Sequence, residues 1–96
     1  MGIIVNDSIM TSYGITVSGS YFNIAQNSIS IRKEDNGKFR VHVSFNMFNS
    51  YNDRLGGCGV LDRQNLVNEF ASVPDGNIYA IVYDLFKLNY SNVVDN

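Results

Sequence analysis

Residues 28–47 read SISIRKEDNGKFRVHVSFNM, and the fold turns on how this stretch closes on itself. Two alternating runs meet at Asp35-Asn36-Gly37, where glycine supplies the positive φ that a tight hairpin turn requires. Two registers compete. A two-residue turn at Asn36-Gly37 sets Ile31 opposite His42 and Ser30 opposite Val43, mixing apolar and polar residues on both faces. A three-residue turn, with Glu34 facing Lys38, sets Ile31 opposite Val41 and Ile29 opposite Val43. The other face then collects Ser30, Arg32, Arg40, His42 and Ser44. A one-residue slip inverts every side chain, so burial of one face selects the second register.

Working outward, Tyr21 to Gln26 reads as the preceding strand. A tight turn at Gln26-Asn27 would set Ile24 opposite Ile29 and Phe22 opposite Ile31, extending the apolar rows to a third strand. Phe39, Phe45 and Met47 continue the same face. Further back, Ile3 to Val5 reads as a short strand at the sheet edge. Asn6-Asp7-Ser8 turns the chain, and Ile9 to Thr11 is a brief extended piece. Ile15-Thr16-Val17 is a strand, interrupted by a bulge or bend at Gly19.

Downstream of Phe48 the alternation stops, and the polar, glycine-rich run from Asn49 to Gly59 reads as a loop of about ten residues. Loops of that length carry function, touch a neighbour or simply cover surface, and Tyr51, Asn52, Asp53 and Arg54 are its candidate contact residues. Asn65 to Val73 is open to two readings. Leu66 with Phe70 and Val67 with Ala71 have helical spacing, whereas a strand returning to the sheet would place Val67, Ala71 and Val73 on one side. The strand is favoured. Pro74-Asp75-Gly76-Asn77 then supplies helix-start chemistry, with Asp75 or Asn77 as cap. Ile78, Ile81, Val82 and Leu85 repeat at helical spacing, with Phe86 flanking and Tyr79 and Tyr83 beside them, which predicts an amphipathic helix from Asn77 to Leu88. The polar tail from Asn89 is expected to be loosely held. The reading is an α+β fold in one domain spanning 1–96, an antiparallel β-meander of four to six strands packed against one C-terminal helix.

Composition narrows the function classes. The chain has 96 residues, 17% of them charged, and a net charge of −2. With no basic block, electrostatics gives no reason to expect nucleic acid or an anionic membrane as partner. Asn and Ser take many surface positions instead. Such a surface is easier to bury against a partner, although compositional drift would produce it equally well. The lone Cys58 admits no intramolecular disulfide and fits a reducing compartment. The lone His42 shares its strand face with Arg40 and Ser44 and has no carboxylate beside it to orient a general base. One Cys and one His cannot build a structural zinc centre, and Gly56-Gly57-Cys58-Gly59 lacks the Lys-Ser/Thr of a phosphate-binding loop. The expectation is therefore a protein that is not an enzyme, without metal, cofactor or small-molecule substrate. Protein contact falls to Arg32, Arg40 and His42 on the polar hairpin face and to Tyr51–Arg54. Tyr21 with the two arginines is a faint echo of a base-stacking platform, weak on an acidic chain.

Two stretches carry a resemblance. The first is Gly2-Ile3-Ile4-Val5-Asn6 with Gly14-Ile15-Thr16-Val17-Ser18-Gly19 and Ser30-Ile31-Arg32-Lys33-Glu34; the second is Asn77-Ile78-Tyr79-Ala80 through Tyr83, with Leu88 to Val94-Asp95. Together they resemble small virion structural proteins of tailed phages, particularly of the crAss-like group, across most of the chain outside Tyr51 to Leu61. The resemblance marks no catalytic or ligand residue. It implies a structural part of the virion, assembled in the bacterial host cytoplasm. An auxiliary (decoration) protein on the capsid lattice, partnered by the major capsid protein or other virion proteins, is the leading form. A small head-tail or tail component, or a host-directed protein-binding module, is the alternative.

Overall fold

In the computed structural model, which describes residues 2–57 and 59–95, the chain runs β1 (Ile3–Val5), β2 (Ile9–Met10), β3 (Thr16–Val17), β4 (Ser20–Ile24), β5 (Ser30–Lys33), β6 (Phe39–Phe48), α1 (Tyr51–Leu55), β7 (Asp62–Phe70), α2 (Ile78–Lys87) and β8 (Val93–Asp95). The fold is α+β, an antiparallel sheet with α2 across one face, as the residue pattern implies. The β5–β6 hairpin closes in the register that segregates its faces. Ile31 pairs with Val41 and Ser30 with His42, while Glu34 N–H donates to Lys38 O at 2.8 Å around Gly37, whose φ is 82°.

The turn at Gln26-Asn27 exists but makes no hairpin. Asn27 takes φ 58°, and instead of folding back, the chain continues along the same edge of β6. Phe22 pairs with Met47 and Ile24 with Phe45, so β4 lies on the C-terminal half of β6 and β5 on its N-terminal half. The rows expected between Ile24 and Ile29 and between Phe22 and Ile31 do not form. The reason is length. Ten residues of β6 span about 33 Å, enough to take two short strands end to end. Where they meet, Ala25 N–H donates to Ser44 O at 2.9 Å and the Ser28 hydroxyl accepts from Ser44 N–H at 3.3 Å, so the ladder is patched across the break. Ile31, beyond the reach of α2, is 44% exposed even though Val41 opposite it is buried.

The remaining strands complete the sheet. The far edge of β6 pairs with β7 along its whole length, Phe39 with Phe70 through Met47 with Asp62. This settles the ambiguous segment as a strand that starts earlier than expected and ends at Phe70. Its core-side residues include Leu66 and Phe70, whereas Val67 faces outward and Val73 lies beyond the strand. On the other side β4 pairs with β1, and β1 pairs with β8. The first strand is therefore interior, and the tail expected to be loose closes the sheet at its edge. Asp7 explains the difference. Its carboxylate accepts from Ser91 N–H at 3.0 Å, Asn92 N–H at 2.8 Å and the Ser91 hydroxyl at 3.1 Å, which lays Val93–Asp95 along β1. A second carboxylate, Asp62, ties the β2–β3 hairpin to β7 by accepting from Ser12 N–H at 2.8 Å and its hydroxyl at 2.9 Å.

Helix α2 begins at Asn77, whose side chain accepts from the Tyr79 and Ala80 N–H groups. It buries Val82, Tyr83 and Phe86 against Phe22, Val43, Phe45 and Met47. Phe86 stacks on Phe45 with ring centroids 4.1 Å apart and tilts against Phe22 at 5.1 Å. Tyr83 reaches the sheet end, its hydroxyl accepting from Ile24 N–H at 3.0 Å.

Removing the central ring should be costly. Phe86→Ala is expected to lower stability by about 3–5 kcal/mol, read from urea denaturation. The two aspartates set an acid limit. Hydrogen bonds from the Ser91 backbone to Asp7 and from the Ser12 backbone to Asp62 hold both carboxyls below their ordinary range. A depressed folded-state pKa stabilises above the unfolded value of about 4, and that stabilisation is lost as pH falls through the folded values. Asp7→Asn with Asp62→Asn should therefore lower the melting temperature at neutral pH, and the gap from wild type should close as pH falls through the depressed folded-state values.

Candidate functional site

Strand alternation sends Arg40, His42, Ser44, Asn46 and Phe48 of β6 to the face opposite α2, because Val41, Val43, Phe45 and Met47 fill the core. Register adds Ser30 and Arg32 from β5, Arg63, Asn65, Val67 and Glu69 from β7, and Tyr21 and Asn23 from β4. This outer face is the candidate contact surface, and it has two unlike ends.

At the N-terminal end of β6 the face is open. Ser30, Arg32, Arg40, His42 and Val67 line a shallow depression of about 310 Å³. Arg32 stands directly across from Arg40, and Ser30 and Val67 flank His42 on either side. Two adjacent guanidinium groups would repel, and the carboxylates explain why the arrangement holds. Arg40 Nε lies 3.2 Å from Glu34 Oε1 and its Nη2 3.8 Å from Glu69 Oε1. Solvent reaches all of these groups, so the pairs orient Arg40 more than they stabilise the fold. The structure thus brings together Arg32, Arg40 and His42, all three anticipated from the hairpin pattern, and adds Val67 and Glu69 from a strand whose placement sequence alone left open.

The other end is covered. Tyr51, Asn52, Asp53 and Arg54 do not form the loop expected of them; they make helix α1. Ser50 caps it, accepting from Asp53 N–H at 3.1 Å, and Asn49 Nδ2 donates to Asp53 Oδ2 at 2.9 Å. The Ser-x-x-Asp spacing of a capped helix start was present in the sequence, obscured by the asparagines and glycines around it. The Tyr51 ring packs 5.0 Å from Tyr21, which also meets Phe48 at 6.1 Å. A Cβ on Gly2 would collide with the Tyr21 ring, so glycine is what leaves room for that ring beside the start of β1. These aromatics form a second small core on the outer face. Tyr51 is therefore scaffold, while Asn52 and Arg54 are exposed on the helix surface. From His42 to Phe48 is about 20 Å along the strand, so the two groups of predicted contact residues share a face without meeting.

Between the ends runs a neutral polar strip. The Ser44 hydroxyl donates to Asn65 Oδ1 at 2.7 Å. Asn23 and Asn46, paired across the strands, each keep a buried side-chain oxygen without a hydrogen-bond partner. Among the described residues no three His, Cys, Asp or Glu side chains gather as a metal ion would need, and no helix is long and apolar enough to cross a membrane. The lone Cys58 lies outside the described residues. No protein-family model, curated protein or solved structure matches the chain.

The division between scaffold and surface is testable. Tyr51→Ala should cost about 1–3 kcal/mol by uncovering Tyr21, whereas Arg54→Ala, three positions along the same helix, should stay within about 0.5 kcal/mol, both read from thermal unfolding.

Proposed function

We propose that the protein acts by contact with other proteins, as a structural component of a tailed-phage particle, and within that class as an auxiliary protein on the capsid lattice. The observation that carries the contact reading is the open outer face around Arg32, Arg40, His42 and Val67. It joins a half-exposed valine to the Arg40 guanidinium, which Glu34 orients in advance at 3.2 Å. Arginine is enriched at protein interfaces because its planar donors bind while its stem packs, and preset orientation lowers the entropy lost on docking. The low charge density supports the same reading, since lysine and glutamate, which resist burial, are sparse. The particle and the capsid enter through the resemblance of the sequence to virion proteins.

Quantitative mass spectrometry of purified particles, scaled to the major capsid protein, tests this directly. Hundreds of copies per particle are expected of a decoration protein. A dozen or fewer would move it to a neck or tail ring. Absence from particles would leave a host-directed binding module, and a stoichiometric partner recovered from host lysate would then identify its target.

A further inference from the structure

Among the described residues the sheet has three free strand edges, two of them short and one long. Edge β8 is three residues long, and edge β5 is four residues long with Arg32 and Lys33 in it. Short length and cations are the usual devices against unwanted pairing. Edge β7 has nine residues, no proline and no lysine, and among the described residues no strand pairs with its outer side.

The direction of its unpaired backbone groups follows from the ladder. Glu34 N–H bonds Lys38 O, and Ala25 N–H bonds Ser44 O, so even-numbered residues of β6 aim their backbone groups at β5 and β4. Odd-numbered residues of β6 aim at β7, where Asp62, Gln64, Leu66, Asn68 and Phe70 face them. The N–H and C=O groups of Arg63, Asn65, Val67 and Glu69 therefore point off the free edge.

We infer that this edge pairs with the same edge of a second copy, antiparallel, about a two-fold axis at Leu66. Three independent features select that register. It gives the strand its greatest overlap with itself, Asp62 opposite the partner's Phe70 and Leu66 opposite the partner's Leu66. It joins outward-pointing residues only to each other, Arg63 to the partner's Glu69 and Asn65 to the partner's Val67, so each such pair exchanges two backbone hydrogen bonds. It also sets opposite charges across the seam twice, since Arg63 and Glu69 stand equally far from Leu66 and on one face. Glu69 is available for this, because its pair with Arg40 is long, at 3.8 Å, and exposed. The half-buried Leu66 side chains meet at the axis, and the sheet runs unbroken through both copies. The outer faces with their Arg40 and His42 clusters come to lie side by side, giving a double contact surface. The pairing stands whether or not the chain belongs to a virion.

Charge swaps on the purified protein test it by sedimentation equilibrium. Arg63→Glu alone places glutamate opposite glutamate twice and is expected to raise the dimer dissociation constant at least about tenfold, as is Glu69→Arg alone. Mixing the two variants restores complementarity on both sides and should return dimers, now exclusively heterodimers. Val67→Pro removes an N–H that points off the edge and serves no bond in the monomer, so it should abolish the dimer with the circular dichroism spectrum unchanged. A wild-type chain that stays monomeric up to its solubility limit overturns the inference. So do single variants that dimerise as tightly as wild type, or a mixture that does not associate.

Discussion

Strand β6 is the constraint on which the rest of the structure depends. Its ten residues alternate without interruption, so one side faces the core and the other faces outward, open at Arg40 and His42 and covered by Tyr21 and Tyr51 at Phe48. Each of its two edges accepts hydrogen bonds over that length, and the other large elements take their positions from it: β7 on one edge, β5 and β4 in series on the other, and α2 across Val43, Phe45 and Met47. The hairpin half of the sheet and the half built by β1, β4 and β8 meet on this strand, and β7 backs it across both.

Hydrophobic burial by α2 fixes which face is inside, but it does not hold the sheet margins. Those depend on two carboxylates that accept backbone hydrogen bonds from segments far away in sequence, Asp7 from residues 91 and 92 and Asp62 from residue 12. Neither aspartate is deeply buried, and the segments they hold, β8 and the β2–β3 hairpin, contribute few core side chains of their own. The margins thus rest on polar contacts and the middle on packing. Acid and core truncation should therefore act on different parts of the molecule.

The parts legible in sequence were those whose partners are near in the chain. The β5–β6 register followed from alternation on both sides of Gly37, and α2 followed from an Asn77 cap and a 3.6-residue apolar stripe. The errors have one cause. Local turns suggest local pairing, which puts residues 22 to 31 in a neighbouring hairpin, whereas β4 skips β5 to reach Phe45 and Met47. The tail read as loose because Ser91 and Asn92 have nothing nearby to bind, and their acceptor is Asp7, 84 residues away from Ser91. On the candidate surface, Arg32, Arg40 and His42 were visible as one face of the hairpin. Val67 and Glu69 were not, since their contribution exists only once β7 is set beside β6.

The asymmetry of the edges then bears on how the surface would be used. A nine-residue edge left open would expose four residues' worth of unpaired backbone groups, with Arg63 and Glu69 its outward-facing charges. The sheet's two other free edges are three and four residues long. Selection for solubility of an isolated monomer would act on the long edge first, because the tendency to add strands grows with the number of bonds on offer. The pattern is instead the one expected if the long edge is normally occupied and only the short ones meet solvent. The outer face adjoining that edge fits the same logic. Val67 is half exposed at the point where β7 meets the arginine cluster, so a chain added at this edge would lie beside that cluster.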